Sequence, residues 1–110
     1  MPHADLCFSS DLSLDPKAVL ERIEEVIQAH DPESGACKGR AYPAAVFHHT
    51  HFLARVSLLA KPHRDTAFIL ALSRDLEAAI KALIPEPCAF TLDLSFSSQI
   101  YVTNAHEGAG

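Results

Sequence analysis

Five basic side chains and one proline carry most of the chemistry in this sequence: Pro2, Lys38, Arg40, Lys61, His63 and Arg64. Cations of this kind hold a small organic anion, and a group with a pKa near neutrality moves its proton. Pro2 follows Met1, and methionine before proline is commonly removed after translation. Removal exposes a secondary amine. An α-amino group titrates near 7.7–8.0 (roughly), and nearby cations and burial lower that value. The alternative is that Met-Pro is simply how the chain starts, in which case the Pro2 nitrogen is an amide and no base.

Other candidates carry less. His48, His49 and His51 lie close enough in sequence to suggest a transition-metal site. Neighbouring strand residues face opposite ways, and no Cys or carboxylate stands beside them, so a solvated turn is the expectation. Cys37 next to Lys38 has the makings of a reactive thiol, but a small buried residue is the simpler reading. Glu24-Glu25 and Asp75-Glu77 read as solvated helix faces.

These residues need elements to position them. Ala4, Leu6 and Phe8 alternate with polar neighbours, which predicts a strand from Pro2 to Phe8. Asp15-Pro16 supplies an N-cap and a first-turn proline, with Leu14 and Val19 as a hydrophobic staple. Val19, Leu20, Ile23, Val26 and Ile27 form the stripe of that helix, and Asp31 to Gly35 stops it. A second strand is predicted over Cys37 to His48, with Pro43 marking an edge or bulge. A turn at His49-Thr50-His51 leads into a third strand, Phe52 to Ala60. A helix follows from Asp65 to Leu83, then a strand from Cys88 to Ser97. Ile100-Tyr101-Val102 is expected to add a short strand before a frayed tail.

The order is β-α-β-β-α-β, and its two halves look related at an offset of about fifty residues, each a strand followed by an amphipathic helix. The fold class is α+β: a four-stranded mixed sheet with both helices on one face. A right-handed crossover makes strands one and two parallel, and strand three returns antiparallel. Pro2, Lys38, Arg40, Lys61, His63 and Arg64 then share one sheet edge, where the second helix also offers its N-terminus to an anion. The opposite sheet face carries His3, Asp5, Cys7, Arg55, Ser57, Thr91, Asp93 and Ser95, a small-sided mixture suited to packing about a shared axis or to exposure in a monomer.

Composition narrows the class. The 110 residues suit a single domain, 1–110, being 48% hydrophobic and 21% charged. The net charge of −5 gives no basis for nucleic-acid binding. Three unpaired-looking cysteines argue against a disulfide framework and for a cytoplasmic setting. No signal peptide or membrane-length apolar run is present.

Met1-Pro2-His3, Lys38-Gly39-Arg40 at a strand start and Pro62-His63-Arg64 before the second helix, in this order of elements, resemble the tautomerase superfamily. Within it they are most similar to the 5-carboxymethyl-2-hydroxymuconate isomerase branch, over about residues 2–100. The resemblance implies a cofactor-independent isomerase that shifts a proton in 2-keto or 2-hydroxymuconate-like acids, within aromatic catabolism. It implies Pro2 as base, with Lys38 and Arg40 in the catalytic set. Arg64, His3 and Tyr101 would bind substrate, with Tyr101 completing a neighbour's pocket in a homotrimer. Lys38 departs from the arginine of that branch and loses its planar fork. Neither a metal nor an organic cofactor is expected, and neither is a nucleic-acid or membrane partner. The competing readings are a non-catalytic α+β module that binds a small organic anion and a metal-binding protein built on the His48/His49/His51 turn.

Overall fold

The computed structural model describes residues Met1–Gly110. Its elements are β1 (His3–Ser9), α1 (Pro16–His30), β2 (Lys38–Ala44), β3 (His51–Leu58), α2 (Thr66–Lys81) and β4 (Ala89–Phe96). The strands form one sheet in the order β2-β1-β3-β4. β1 runs parallel to β2 and antiparallel to β3, and β3 runs parallel to β4. β3 therefore does not lie beside β2 as a hairpin; β1 sits between them. The expected shared edge survives, because β3 is antiparallel to β1 and its finish, at Ser57, lies opposite His3.

Alternation sets which side is buried. Ala4, Leu6 and Phe8 of β1 and Phe52, Ala54, Val56 and Leu58 of β3 point into one cluster of 16 buried residues. Both helices and the loop before α1 supply the rest, with Leu12 and Leu14 from the loop, Val19, Ile23, Val26 and Ile27 from α1, and Leu72, Leu76 and Ile80 from α2. The Asp15 carboxylate accepts from Lys17 N and Ala18 N at 3.1 and 3.3 Å, so α1 starts where its cap predicts. Gly39 lies under α1, where an added Cβ would meet Leu20 Cδ2 at 2.6 Å and oblige that side chain to shift.

Several boundaries differ from the sequence reading. β2 stops at Ala44 rather than His48, because its partner stops too: Ser9 pairs with Ala44 and nothing lies beyond. Pro43 sits in an edge strand, where its missing N–H removes no ladder bond. Ile100 to Val102 form no strand. The last bond of that edge runs from Ser97 N to Leu58 O, where β3 ends, and Ile100 and Val102 are 91% and 83% exposed. No helix is long and apolar enough to cross a membrane.

The two halves correspond closely: their elements begin at 3 and 51, 16 and 66, and 38 and 89. With helices on one side only, the molecule is a slab of 44 × 37 × 22 Å. Its uncovered sheet face carries His3, Asp5, Cys7, Arg55, Ser57, Thr91, Asp93 and Ser95 as expected, joined by Lys38, Arg40 and Tyr42, which pair with His3, Asp5 and Cys7.

Candidate active site

The edge where β1 and β2 start and β3 finishes gathers the predicted residues. Pro2 is fully buried there, and its carbonyl accepts Lys38 N at 3.0 Å. This bond begins the parallel ladder and fixes the chain start beside Lys38. Lys38 is exposed and Lys61 half-buried, and neither takes part in the chain's ion pairs. Both ammonium groups are thus available to an anion. The Met1 amine is held below its ordinary value, first by burial and then by the charges of Lys61 and Arg64. The electrostatic partners of the chain start are therefore these two residues.

Arg64 does not present its guanidinium to this edge as a free grip. Its side chain is 2% exposed, donating from Nε and Nη2 to Asp31 Oδ2 at 3.0 and 2.7 Å and from Nη1 to Leu59 O at 2.8 Å. His63 Nε2 donates to the same carboxylate oxygen at 2.8 Å. Asp31 is held down to about 2, first by the His63 hydrogen bond and then by Arg64, against the opposing effect of burial. Asp31 escaped the sequence reading, which saw only a helix stop. It staples the end of α1 to the turn before α2 and so steadies Lys61, whose carbonyl accepts Arg64 N at 2.9 Å. The N-terminus of α2 is also already occupied, since the Asp65 carboxylate accepts Phe68 N at 2.9 Å.

Arg40 turns onto the open sheet face. Nη1 lies 3.1 Å from Asp5 Oδ1, and Nη2 donates to Lys38 O at 2.8 Å and to His3 Nδ1 at 3.2 Å. Tyr101 bonds within its own chain: its hydroxyl lies 3.1 Å from His3 Nε2 and 3.0 Å from Met1 O. A cleft of about 290 Å³ adjoins this end of the molecule, lined by Arg64, Asp65, Thr66, Ile69, Leu70 and Phe96. A larger one, about 460 Å³, lies between the helices around His30 and Asp75 and contains none of the predicted residues.

The remaining candidates do not form sites. His48 and His49 stack with ring centroids 4.0 Å apart, while His51 Nδ1 bonds to His49 O. No three His, Cys, Asp or Glu side chains come together to hold a metal ion. The Cys37 thiol is pushed up to about 11, first by burial and then by Glu24, which makes it a poor nucleophile.

No protein-family model matches the chain and no curated protein matches it in sequence. Among solved structures, a 5-carboxymethyl-2-hydroxymuconate delta-isomerase superposes with TM-score 0.72 at 17% identity, covering 96% of this chain and 89% of the other. A 5-carboxymethyl-2-hydroxymuconate isomerase from Deinococcus radiodurans R1 gives 0.62 at 18% identity over 96% and 90%. A fused 4-OT described as a symmetric trimer gives 0.67 at 16% identity over 94% and 91%. The class is thereby defined: the chain has the tautomerase fold, with its β-α-β-β-α-β order and mixed four-stranded sheet. Within that class, the neighbours named are two muconate isomerases and a 4-OT trimer.

Proposed function

We propose that this protein is a cofactor-independent isomerase that shifts a proton in 2-keto or 2-hydroxymuconate-like acids, with the Pro2 nitrogen as base once Met1 is removed. The observation that carries this reading is the placement of Pro2: buried, its carbonyl accepting Lys38 N at 3.0 Å, and one residue from an amine whose pKa is lowered first by burial and then by Lys61 and Arg64. The same surroundings act on a Pro2 amine in the same direction, lowering its pKa. The base removes a proton α to the substrate carbonyl and returns it along the conjugated chain. Lys38 and Lys61 hold the carboxylate and the developing oxyanion. Arg64 acts through the turn it anchors. Intact mass should be one methionine short, and an electrophilic 2-keto-3-alkynoate should label Pro2. Labelling elsewhere, with Pro2 unmodified, overturns the assignment.

Lys38 and Lys61 separate by what they change. Lys38→Ala is expected to lower kcat/KM by about 2–4 kcal/mol, the effect of losing one oxyanion partner. Lys61→Ala should move the onset of activity to higher pH, since removing a cation beside the amine raises its pKa. Two pH–rate profiles check this; unchanged onsets in the Lys61 variant would remove it from the base's surroundings.

The same reading includes a homotrimer. The uncovered sheet face supports it, as does the trimeric 4-OT neighbour. Light scattering should give about three times the chain mass; a monomer at micromolar concentration would leave the face to solvent.

A further inference from the structure

We propose that Arg40, His3 and Tyr101 form a chain of hydrogen-bond donors, fixed in direction, that ends on the substrate's carbonyl oxygen beside Pro2, with Tyr101 supplied by the same chain as the base. This inference rests on the reading of Pro2 above and assigns the group that faces it.

The direction follows from what each group can donate. A guanidinium has hydrogens and no acceptor, so His3 Nδ1, 3.2 Å from Arg40 Nη2, must accept. The ring proton then sits on Nε2, which donates to the Tyr101 oxygen at 3.1 Å. Tyr101 spends its own hydrogen on the Met1 carbonyl oxygen at 3.0 Å. Arg40 cannot easily swing away, because Asp5 at 3.1 Å and Lys38 O at 2.8 Å hold it. The His3 and Tyr101 rings meet edge to face, 6.4 Å between centroids at 73°. Tyr101 is half-buried, whereas its neighbours Ile100 and Val102 are exposed.

Position follows from covalent geometry. A carbonyl oxygen and the nitrogen of the same peptide lie about 2.3 Å apart, so the Tyr101 hydroxyl is within about 5 Å of Pro2 N. The Met1 carbonyl marks where an acceptor oxygen sits in front of that nitrogen. With Met1 gone, the hydroxyl has lost its acceptor and faces the base. A 2-keto acid with its α-carbon against Pro2 N puts its carbonyl oxygen there. Pro2 N takes the α-proton, and the C–H electron pair moves into the carbonyl to give an enolate. Tyr101 donates to that oxygen and keeps its proton. The Pro2 ammonium then returns its proton to carbon. Donation from His3 into the Tyr101 oxygen, backed by the Arg40 charge, strengthens the final O–H donor at the moment negative charge forms.

The test uses the processed full-length protein. Tyr101→Phe is expected to lower kcat about 100-fold with KM nearly constant. His3→Asn, which mimics only the Nδ1 position, should lose a similar amount. His3→Gln, whose amide nitrogen reaches the Nε2 position, should recover most of it. Tyr101→Phe combined with His3→Asn should be no worse than Tyr101→Phe alone. Nitrogen NMR should find His3 protonated on Nε2 and bare on Nδ1. Wild-type kcat in Tyr101→Phe, or a His3 proton on Nδ1, overturns the donor chain. An inactive wild type would instead sink the Pro2 reading, and the His3 tautomer, measured without substrate, would still decide the donor chain.

Discussion

Isomerase activity is expected to fall by about 10²- to 10⁴-fold when any residue stays attached ahead of Pro2, the range that a positioned base contributes. An amide nitrogen shares its lone pair with the carbonyl and cannot take a proton. Two further effects act in the same direction. Met1 keeps its carbonyl on the Tyr101 hydroxyl at 3.0 Å, and its sulfur lies 3.9 Å from Thr103 Oγ1, so the retained residue stands in the space proposed for the substrate. The comparison is between a processed chain and one extended ahead of Pro2 by residues that are not removed, each verified by intact mass. Pro2→Ala, processed to a primary amine, should lose less than the extended form. Full activity from a chain that demonstrably keeps Met1 would take Pro2 out of the mechanism, whereas no turnover from the processed chain would favour the module that binds an organic anion without turning it over.

Asp31→Ala is expected to destabilise the fold by about 3–5 kcal/mol, the cost of leaving a buried charge without its partner. Arg64 would keep its bond to Leu59 O and lose both bonds to Asp31. Replacing Arg64 by methionine in the same chain should recover part of the loss, since a buried apolar side chain needs no counter-charge. The pH dependence has a definite sign. The folded-state value of Asp31 is depressed to about 2. Its contribution is fully present above the ordinary carboxylate value near 4 (roughly) and is lost as pH falls through the depressed one. Urea unfolding of wild type and Asp31→Asn should therefore differ most at neutral pH and converge toward pH 2. A gap that stays constant over that range would mean that the carboxylate's charge is not what Arg64 and His63 recognise.

The parts of this molecule that were legible in the sequence are those governed by local period and caps. Ala4, Leu6 and Phe8 alternate because one sheet face is buried. Asp15-Pro16 opens α1 because its carboxylate bonds to the first free N–H groups. Leu72, Leu76 and Ile80 recur at helical spacing because α2 faces the same cluster. What could not be read depends on partners distant in sequence. The end of β2 is decided by where β1 ends. The use of Arg64 is decided by Asp31, 33 positions earlier, and that of Tyr101 by His3, 98 positions earlier. No local pattern distinguishes an arginine that grips a ligand from one that neutralises a buried carboxylate.

The near-duplication of the two halves reaches down to single hydrogen bonds. Pro2 O accepts Lys38 N at 3.0 Å, and at the corresponding place Thr50 O accepts Ala89 N at 3.1 Å. The backbone thus builds the same entrance to a parallel strand pair twice, at opposite ends of the sheet. Only the first holds a proline, and Met1 alone stands before it in the sequence. Thr50 sits mid-chain, its nitrogen locked in an amide, and its hydroxyl is engaged by Asp11. On the role proposed for Pro2, the two ends would differ in covalent connectivity and not in shape. A circularly permuted chain opened just before Thr50, with the old termini joined, would exchange them: the amine proposed as base would disappear from one end of the sheet and a free amine would appear at the other, close in sequence to His51 in place of lysines.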